Sequence, residues 1–443
     1  MGTRRVVGVC LATLTGLGAV SASAQAPPPI DVVTVATVDT TNQAGWWTPI
    51  LEHDGATYYA YDAPGDAPRT HEVVVARRTG AGSGAGPGAT QASCLTNASG
   101  DRCIQFPDDV GHHQPSLAID GDGFVHVFVA MHSSPWRGHY FRSASPESVD
   151  GFTDRGGEMP DQSWTHTYPV PVTDANGDLW LTIRSRSSPD ARGVGGRLYH
   201  YDLATGRWTR AATFAYNAGL WVYPDDVQVD AGGRLHIAFE WVKKYTNAFP
   251  HVGAYVTYDP ATGRFANAAG QGLAAPLDFA SPAVYQPWSD SYDPNARYNG
   301  LGVQTAKLAL DPATGAPQIV YRYTPRYGEN LRVLHTTWDG TQWRRTTVYG
   351  GRYDTFATVD VTLVGGSLRV YYVKENTSGG PAAFVAERTA SGGYAERSLA
   401  PGRPAVERLS AIATPDGTDL AYLSAPHAFG AFGGELYLAT VPR

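Results

Sequence analysis

The sequence predicts an all-β fold, a seven-bladed β-propeller of four-stranded antiparallel blades, and three observations lead there. Gly (50) and Pro (31) are abundant among 443 residues and charged residues are only 17%, a composition suited to short strands joined by tight turns. No stretch carries the apolar spacing of an amphipathic helix. Hairpins of alternating apolar and polar residues recur along the chain, their turns roughly 50 to 80 residues apart, the pattern of a repeated supersecondary unit.

Taken in order, residues 1–26 read as an export signal: Arg4 and Arg5, the apolar run VVGVCLATLTGLGAV, then small residues with cleavage near Ala24. The run is too short and glycine-broken for a membrane anchor. Cys10 leaves with the signal. The remaining pair, Cys94 and Cys103, is expected to form a disulfide in an oxidising compartment, so the protein is expected to be secreted or periplasmic. Residues 27–443 are expected to form one propeller domain.

A strand DVVTVATV (31–38) precedes the first hairpin and is expected to complete the last blade beside GELYLATV, closing the ring without a covalent link. Seven hairpins follow: WWTPILEHDGATYYAYDA, SLAIDGDGFVHVFVA, YPVPVTDANGDLWLTIR, YPDDVQVDAGGRLHIAFEW, TAKLALDPATGAPQIVYRY, TVDVTLVGGSLRVYYV and LSAIATPDGTDLAYLS. Each is followed by a third strand, from HEVVVAR to GELYLAT, and often by a fourth, such as GRWTRAATF. Two long insertions interrupt the repeat. Residues 77–103 form a Gly/Ser-rich loop read as structural decoration, and about 259–304 are read as one wall of a groove.

In a propeller the first strand of every blade begins at the central opening, so residues just before it, and at the end of the second strand, share one volume. The second hairpin, folded at Gly121/Asp122, sets His112 beside His132. In the third, a turn centred on Asn176 pairs Tyr168 with Arg184. Tyr223 holds the place of Tyr168 in the fourth hairpin, with Glu240 near its partner. Trp46 and Trp47 hold that place in the first. Aromatic and polar side chains at such a mouth suit a saccharide. The formal charge of −7 argues against a nucleic-acid partner, while a few local arginines still suit an anionic polysaccharide.

This residue set fits removal of the proton alpha to a uronate carboxylate. A cation must neutralise the carboxylate, a base must reach C5 and an acid must protonate the departing oxygen. Arg184 suits the first task, with Arg186 the second choice. His112 and Tyr168 suit the others, with His132 assisting, and His113 competes with His112 because the register is open by one residue. Bland alternatives stand beside each: Tyr168 and Tyr223 as packing before prolines, Arg184 as a salt bridge between blades, Trp46 and Trp47 as core. His126 and His236, inside apolar second strands, read as structural. A propeller glycoside hydrolase would need paired carboxylates, for which Asp225 and Asp226 are the thin candidates. A non-catalytic carbohydrate-binding propeller would use the same aromatic residues.

The stretches AGWWTPILEHDGATYYAY, HHQPSLAIDGDGFVHVFVAMHSSP, TYPVPV…LWLTIRSR and VYPDDVQVDAGGRLHIAFEW resemble the BNR-4-type seven-bladed propeller polysaccharide lyases, which include ulvan lyases and rhamnose–glucuronate lyases. The resemblance covers roughly residues 45–260 well and the later blades in general pattern. It implies β-elimination on a uronic-acid polysaccharide, with His112, His132, Tyr168 and Arg184 as the catalytic set and Tyr223 in substrate binding. The spacing from His132 to Tyr168 is shorter than in such relatives. No cysteine–histidine cluster for zinc is evident. Some relatives carry structural calcium, for which loop carboxylates such as Asp290 or Asp293 remain candidates. No cofactor is required by this chemistry, and a monomer is expected.

Overall fold

A computed structural model describes residue 2 and residues 28–42, 47–80, 89–187, 193–243, 251–287, 302–326, 329–353, 355–375, 377, 380–403, 406–425 and 434–443, the side chains of 355–357 excepted. Residue 2 apart, the expected export signal lies outside these residues, as do Trp46, Asp290 and Asp293. The described residues are all-β apart from one 3-10 turn, Gly156–Glu158. No described helix is long and apolar enough to cross a membrane.

The strands assemble as antiparallel runs in chain order. Ile50–His53, Ala56–Pro64, Thr70–Thr79 and Thr90–Cys94 form the first sheet, and Ser116–Ile119, Val125–Phe128, Tyr140–Ser143 and Phe152–Asp154 the second. Thr165–Thr173, Leu179–Arg186, Gly195–Asp202 and Arg207–Ala215 form the third, with His132–Ser134 added on its inner side. Trp221–Val229, Leu235–Val242 and His251–Asp259 are joined to Gly302–Leu310, Pro317–Thr324, Arg332–Trp338 and Trp343–Tyr349 by one parallel pair, His251 with Gly302. Thr355–Val364, Ser367–Glu375, Pro381–Arg388 and Tyr394–Ser398 follow. In the final sheet, Arg408–Ala413, Asp419–Ala425 and Gly434–Val441 are completed by Asp31–Val38, which pairs antiparallel with Gly434–Val441.

The first strands of these runs pack on one another in sequence. Ile50–His53 meets Ser116–Ile119, then come Thr165–Thr173, Trp221–Val229, Gly302–Leu310, Thr355–Val364 and Arg408–Ala413, and this last strand packs on Ile50–His53 again. Side chains, not ladder bonds, stitch several neighbours. Asp226 accepts the Leu308 N–H and Asp360 the Ala411 N–H, both at 2.8 Å. Ser116 donates to the Pro169 carbonyl at 2.8 Å and accepts from Thr48 N–H at 3.2 Å. Asn42 is a hub: its amide donates to the Tyr422 hydroxyl at 2.8 Å and to Ser424 at 2.9 Å, while its oxygen accepts the Asp62 N–H at 3.0 Å.

Apolar faces fill the space between sheets, as alternation requires. Val170, Leu198 and Phe214 of the third sheet interlock with Val227, Ile237 and Phe239 of the next, all essentially without exposure. Each such side chain contributes on the order of 1.5–3 kcal/mol by leaving water. The expected Cys94–Cys103 disulfide is formed and pins the end of the first long insertion. Of the second insertion, Arg264–Ala266 and Val284–Gln286 lie along the free edge of His251–Asp259. Residues 288–301, the centre of the expected groove wall, are outside the described residues.

His126 and His236 are structural, and by a repeated device. His126 lies between Asp120 and the Tyr140 hydroxyl at 3.0 and 2.7 Å, and His236 between Asp230 and the Tyr255 hydroxyl at 3.2 and 2.6 Å. Both imidazoles have lowered pKa values because burial disfavours their charged form.

Candidate active site

Irregular backbone at the strand mouths aims the candidate side chains. The expected pairing of Tyr168 with Arg184 is off by one: Thr167 faces Arg184, the ladder resumes at Val170 with Thr182, and Tyr168–Pro169 form a bulge. Within it Tyr168 has φ of 61°, a left-handed conformation costly for an aromatic residue. Ala130 and Ser133, flanking the His132 segment, are also left-handed at 50° and 56°. Strained backbone therefore clusters where the candidate residues meet. Tyr223 pairs with Glu240 as expected, just before a second register shift.

The residues converge closely. The His112 and His132 rings stack with centroids 3.7 Å apart and planes 7° from parallel, and His112 lies 5.8 Å from Tyr168. Tyr168 and Tyr223 are 5.1 Å apart. Between them sits the Arg184 guanidinium, 4.4 Å from the Tyr168 ring, 4.5 Å from Tyr223 and 5.0 Å from Trp221. Arg184 is only 4% exposed, and its Nη1 is buried without a hydrogen-bond partner. Among the described residues it makes no ion pair.

Asp109, which the sequence reading did not single out, organises the histidines. One carboxylate oxygen bonds Nδ1 of His112 at 2.8 Å and the other bonds Nδ1 of His132. Burial alone would raise the Asp109 pKa, but its bonds to His132 and His112 outweigh that and hold it below the usual carboxylate range. With both Nδ1 atoms engaged by Asp109, Nε2 is the ring nitrogen left on each histidine for proton transfer. The His112 pKa is lowered, chiefly by burial and then by His132 and Arg184, against the opposing pull of Asp109. Burial pushes the Tyr168 hydroxyl well above its ordinary value although Arg184 pulls the other way. One atom from each of Asp109, His112 and His132 lies within 4.8 Å of the other two, so this triad could also take a metal ion.

Other candidates fall elsewhere. Trp47 is not a sugar platform: at 1% exposure it is core, packed edge-on against Tyr168 with ring centroids 5.7 Å apart. His113 is not at the surface of the mouth. It is 6% exposed, its ring lies 5.5 Å from His71, and burial takes its pKa down to about 4. Arg186 stands half-exposed at the strand end opposite Thr165. Asp225 and Asp226 are buried side chains of the interior, not a pair flanking a substrate. His251, missed because it opens a third strand, lies 5.6 Å from Tyr223 and bonds Glu240 through Nδ1. Trp221 was also missed, although it precedes Tyr223 by two residues and so shares its strand face.

Residues 56–349 match the model of the BNR repeat-containing family, more than half of the chain. The chain belongs to that family. No curated protein sequence matches this family member. Among solved structures, the polysaccharide lyase Uly1 is similar at a TM-score of 0.62 and 14% identity, over 89% of this chain and 90% of that one. An ulvan lyase of family PL25, bound to -[GlcA(1-4)Rha3S]-, is similar at a TM-score of 0.62 and 14% identity, over 93% and 96%. At that identity the likeness establishes a shared fold.

Proposed function

We propose that this BNR family member is a secreted lyase that cleaves a uronic-acid-containing polysaccharide of the ulvan or rhamnose–glucuronate kind by β-elimination. One observation carries the reading: Arg184 is a buried guanidinium without an ion pair among the described residues, set among the rings of Tyr168, Tyr223 and Trp221, with His112 packed on Tyr168. A buried cation is costly unless an anion meets it. A uronate carboxylate entering the mouth supplies that anion, and its neutralisation is what acidifies the C5 proton.

The roles then divide by protonation state. His112 is neutral at working pH, with Nδ1–H committed to Asp109, so Nε2 takes the C5 proton. Tyr168 keeps its proton and gives it to the departing glycosidic oxygen as the C4–O bond breaks and the C4–C5 double bond forms. His132, sharing Asp109, completes the mouth, and Tyr223 and Trp221 offer apolar faces to the sugar. The reading invokes no cofactor. The cycle of packed first strands and the pairing of Asp31–Val38 with Gly434–Val441 support seven blades closed by the N-terminal strand. The disulfide supports an oxidising compartment.

The test is near-ultraviolet absorbance and product mass after mixing the purified protein with ulvan, glucuronate-bearing plant gums and a neutral glucan. Conjugated unsaturated uronate ends from the acidic polymers alone are expected. New reducing ends without a double bond would make the protein a hydrolase and overturn the reading.

A further inference from the structure

A second concave site lies at the far end of the same strands. A cleft of about 690 Å³ is lined by Arg234, Asp259, Arg264 and Trp338, among others, with His236 and Tyr255 on its floor. These residues sit at the turns following Trp221–Val229, His251–Asp259 and Arg332–Trp338. Tyr223 and the mouth are at the opposite end, and the six steps from Tyr223 to Val229 span about 20 Å of extended strand. The insertion strand Arg264–Ala266 builds one wall.

The chemistry of the lining is specific. Arg234 and Arg264 are exposed, and among the described residues neither guanidinium has a hydrogen bond or ion pair. The carboxylate that shares the cleft is engaged by its own turn: Asp259 accepts the Ala261 N–H at 3.0 Å and the Thr262 hydroxyl at 2.8 Å. Trp338 is half-buried and packs edge-on against Trp343, ring centroids 5.5 Å apart. The floor is fixed, because His236 is locked between Asp230 and Tyr255. Two uncommitted planar cations beside an indole, over a rigid floor in a cleft of ligand size, suit a sugar bearing a carboxylate or sulfate: the fork binds the anion and the indole covers a ring face.

We propose that this cleft is a non-catalytic binding site for a stretch of acidic polysaccharide, which holds the protein on a long polymer while the mouth works on another segment. The identity of the polymer rests on the function proposed above; the site itself does not use the mouth residues.

Affinity electrophoresis through gels containing ulvan, desulfated ulvan or a neutral glucan separates the two sites. In an Arg184→Ala background, retardation by ulvan is expected to persist. Adding Arg234→Gln and Arg264→Gln is expected to weaken it by about tenfold per arginine, the scale of a charge-assisted hydrogen bond. Persistence on desulfated ulvan assigns the anion as carboxylate, and loss there assigns it as sulfate. The Arg234→Gln/Arg264→Gln protein with an intact mouth is expected to cleave short oligosaccharides at the wild-type rate and to show a raised KM on polymer. If the wild type cleaves ulvan but the Arg184→Ala protein migrates freely, or if the added substitutions leave retardation unchanged, the second site is refuted while the lyase stands. If the wild type neither cleaves nor is retarded by any acidic polymer, both proposals fall together.

Discussion

Replacing Arg184 with Met distinguishes an arginine waiting for an anion from one that holds the protein together. The side chain is 4% exposed, packed on three rings and without an ion pair among the described residues. In the free protein the substitution has two opposed effects. It removes cation–π contacts of about 1–2 kcal/mol and relieves the desolvation of an uncompensated charge, several kcal/mol in the other direction. Methionine fills much of the vacated length. The melting temperature is therefore expected to hold or rise. With substrate the balance reverses. A guanidinium about 4 Å from a carboxylate at an effective dielectric near 20 contributes about 4 kcal/mol, so kcat/KM for an acidic polymer is expected to fall by about a thousandfold. Calorimetric melting and the absorbance of unsaturated ends measure the two effects on one preparation. A melting temperature lowered by many degrees with cleavage intact would refute the reasoning, since it would make Arg184 a structural cation.

Tyr168→Phe removes only the hydroxyl and is expected to lower kcat by about 10²–10⁴-fold, the range for a lost general acid, with the substrate still bound in equilibrium dialysis. Asp109→Asn is expected to cost about 10²-fold or more, as loss of a tautomer-fixing carboxylate does. Because Asp109 raises the His112 pKa, the acid limb of kcat/KM in that variant is expected to move to lower pH; an unmoved limb would remove His112 from the base role. Calorimetric stability is expected to be highest on a plateau from about pH 4.5 to about 6.5, the ordinary carboxyl and imidazole values, and to fall above it. Buried histidines held down, such as His166 at about 3 and His335 at about 4, contribute stability above the ordinary imidazole value that is lost as pH falls toward the folded values. Buried carboxyls held up, Asp62 at about 7 and Glu240 at about 8, contribute stability at low pH that is lost as pH rises through those values. A melting temperature flat from pH 5 to 9 contradicts this balance.

Much of this was legible in the sequence because strand periodicity and turn chemistry are local. Ser116 pairs with Phe128 and Ile119 with Val125, a register centred on Asp122 of the expected Gly121/Asp122 turn, and His112 and His132 are placed symmetrically about the same centre. What was not legible depends on departures from the ladder. The bulge at Tyr168–Pro169 shifts the register by one residue, a conformation no alternation pattern encodes. Trp47 was open between platform and core because a tryptophan beside a strand mouth is compatible with either; packing under Tyr168 settles it. Asp109 was overlooked although it stands in the same DDVGHHQP stretch as His112. Its position was plain, but its bridging role needed a second histidine in three dimensions. His251 enters from a third strand, outside the hairpin logic.

Most sheets here can form from neighbours in sequence, yet Asp31–Val38 finds its partner only in Gly434–Val441, and Asn42 bonds Tyr422 across 380 positions. Until those distant segments meet, Gly434–Val441 keeps an open edge and Asn42, Tyr422 and Ser424 lack the partners that satisfy them. Closing so long a loop is the slow, entropically costly event of such a topology. A chain whose other sheets form before that closure presents an open edge to which another copy can pair. Yield on refolding should then depend on protein concentration more than on the solidity of any one sheet, and Asn42 is the latch whose engagement ends that vulnerable interval.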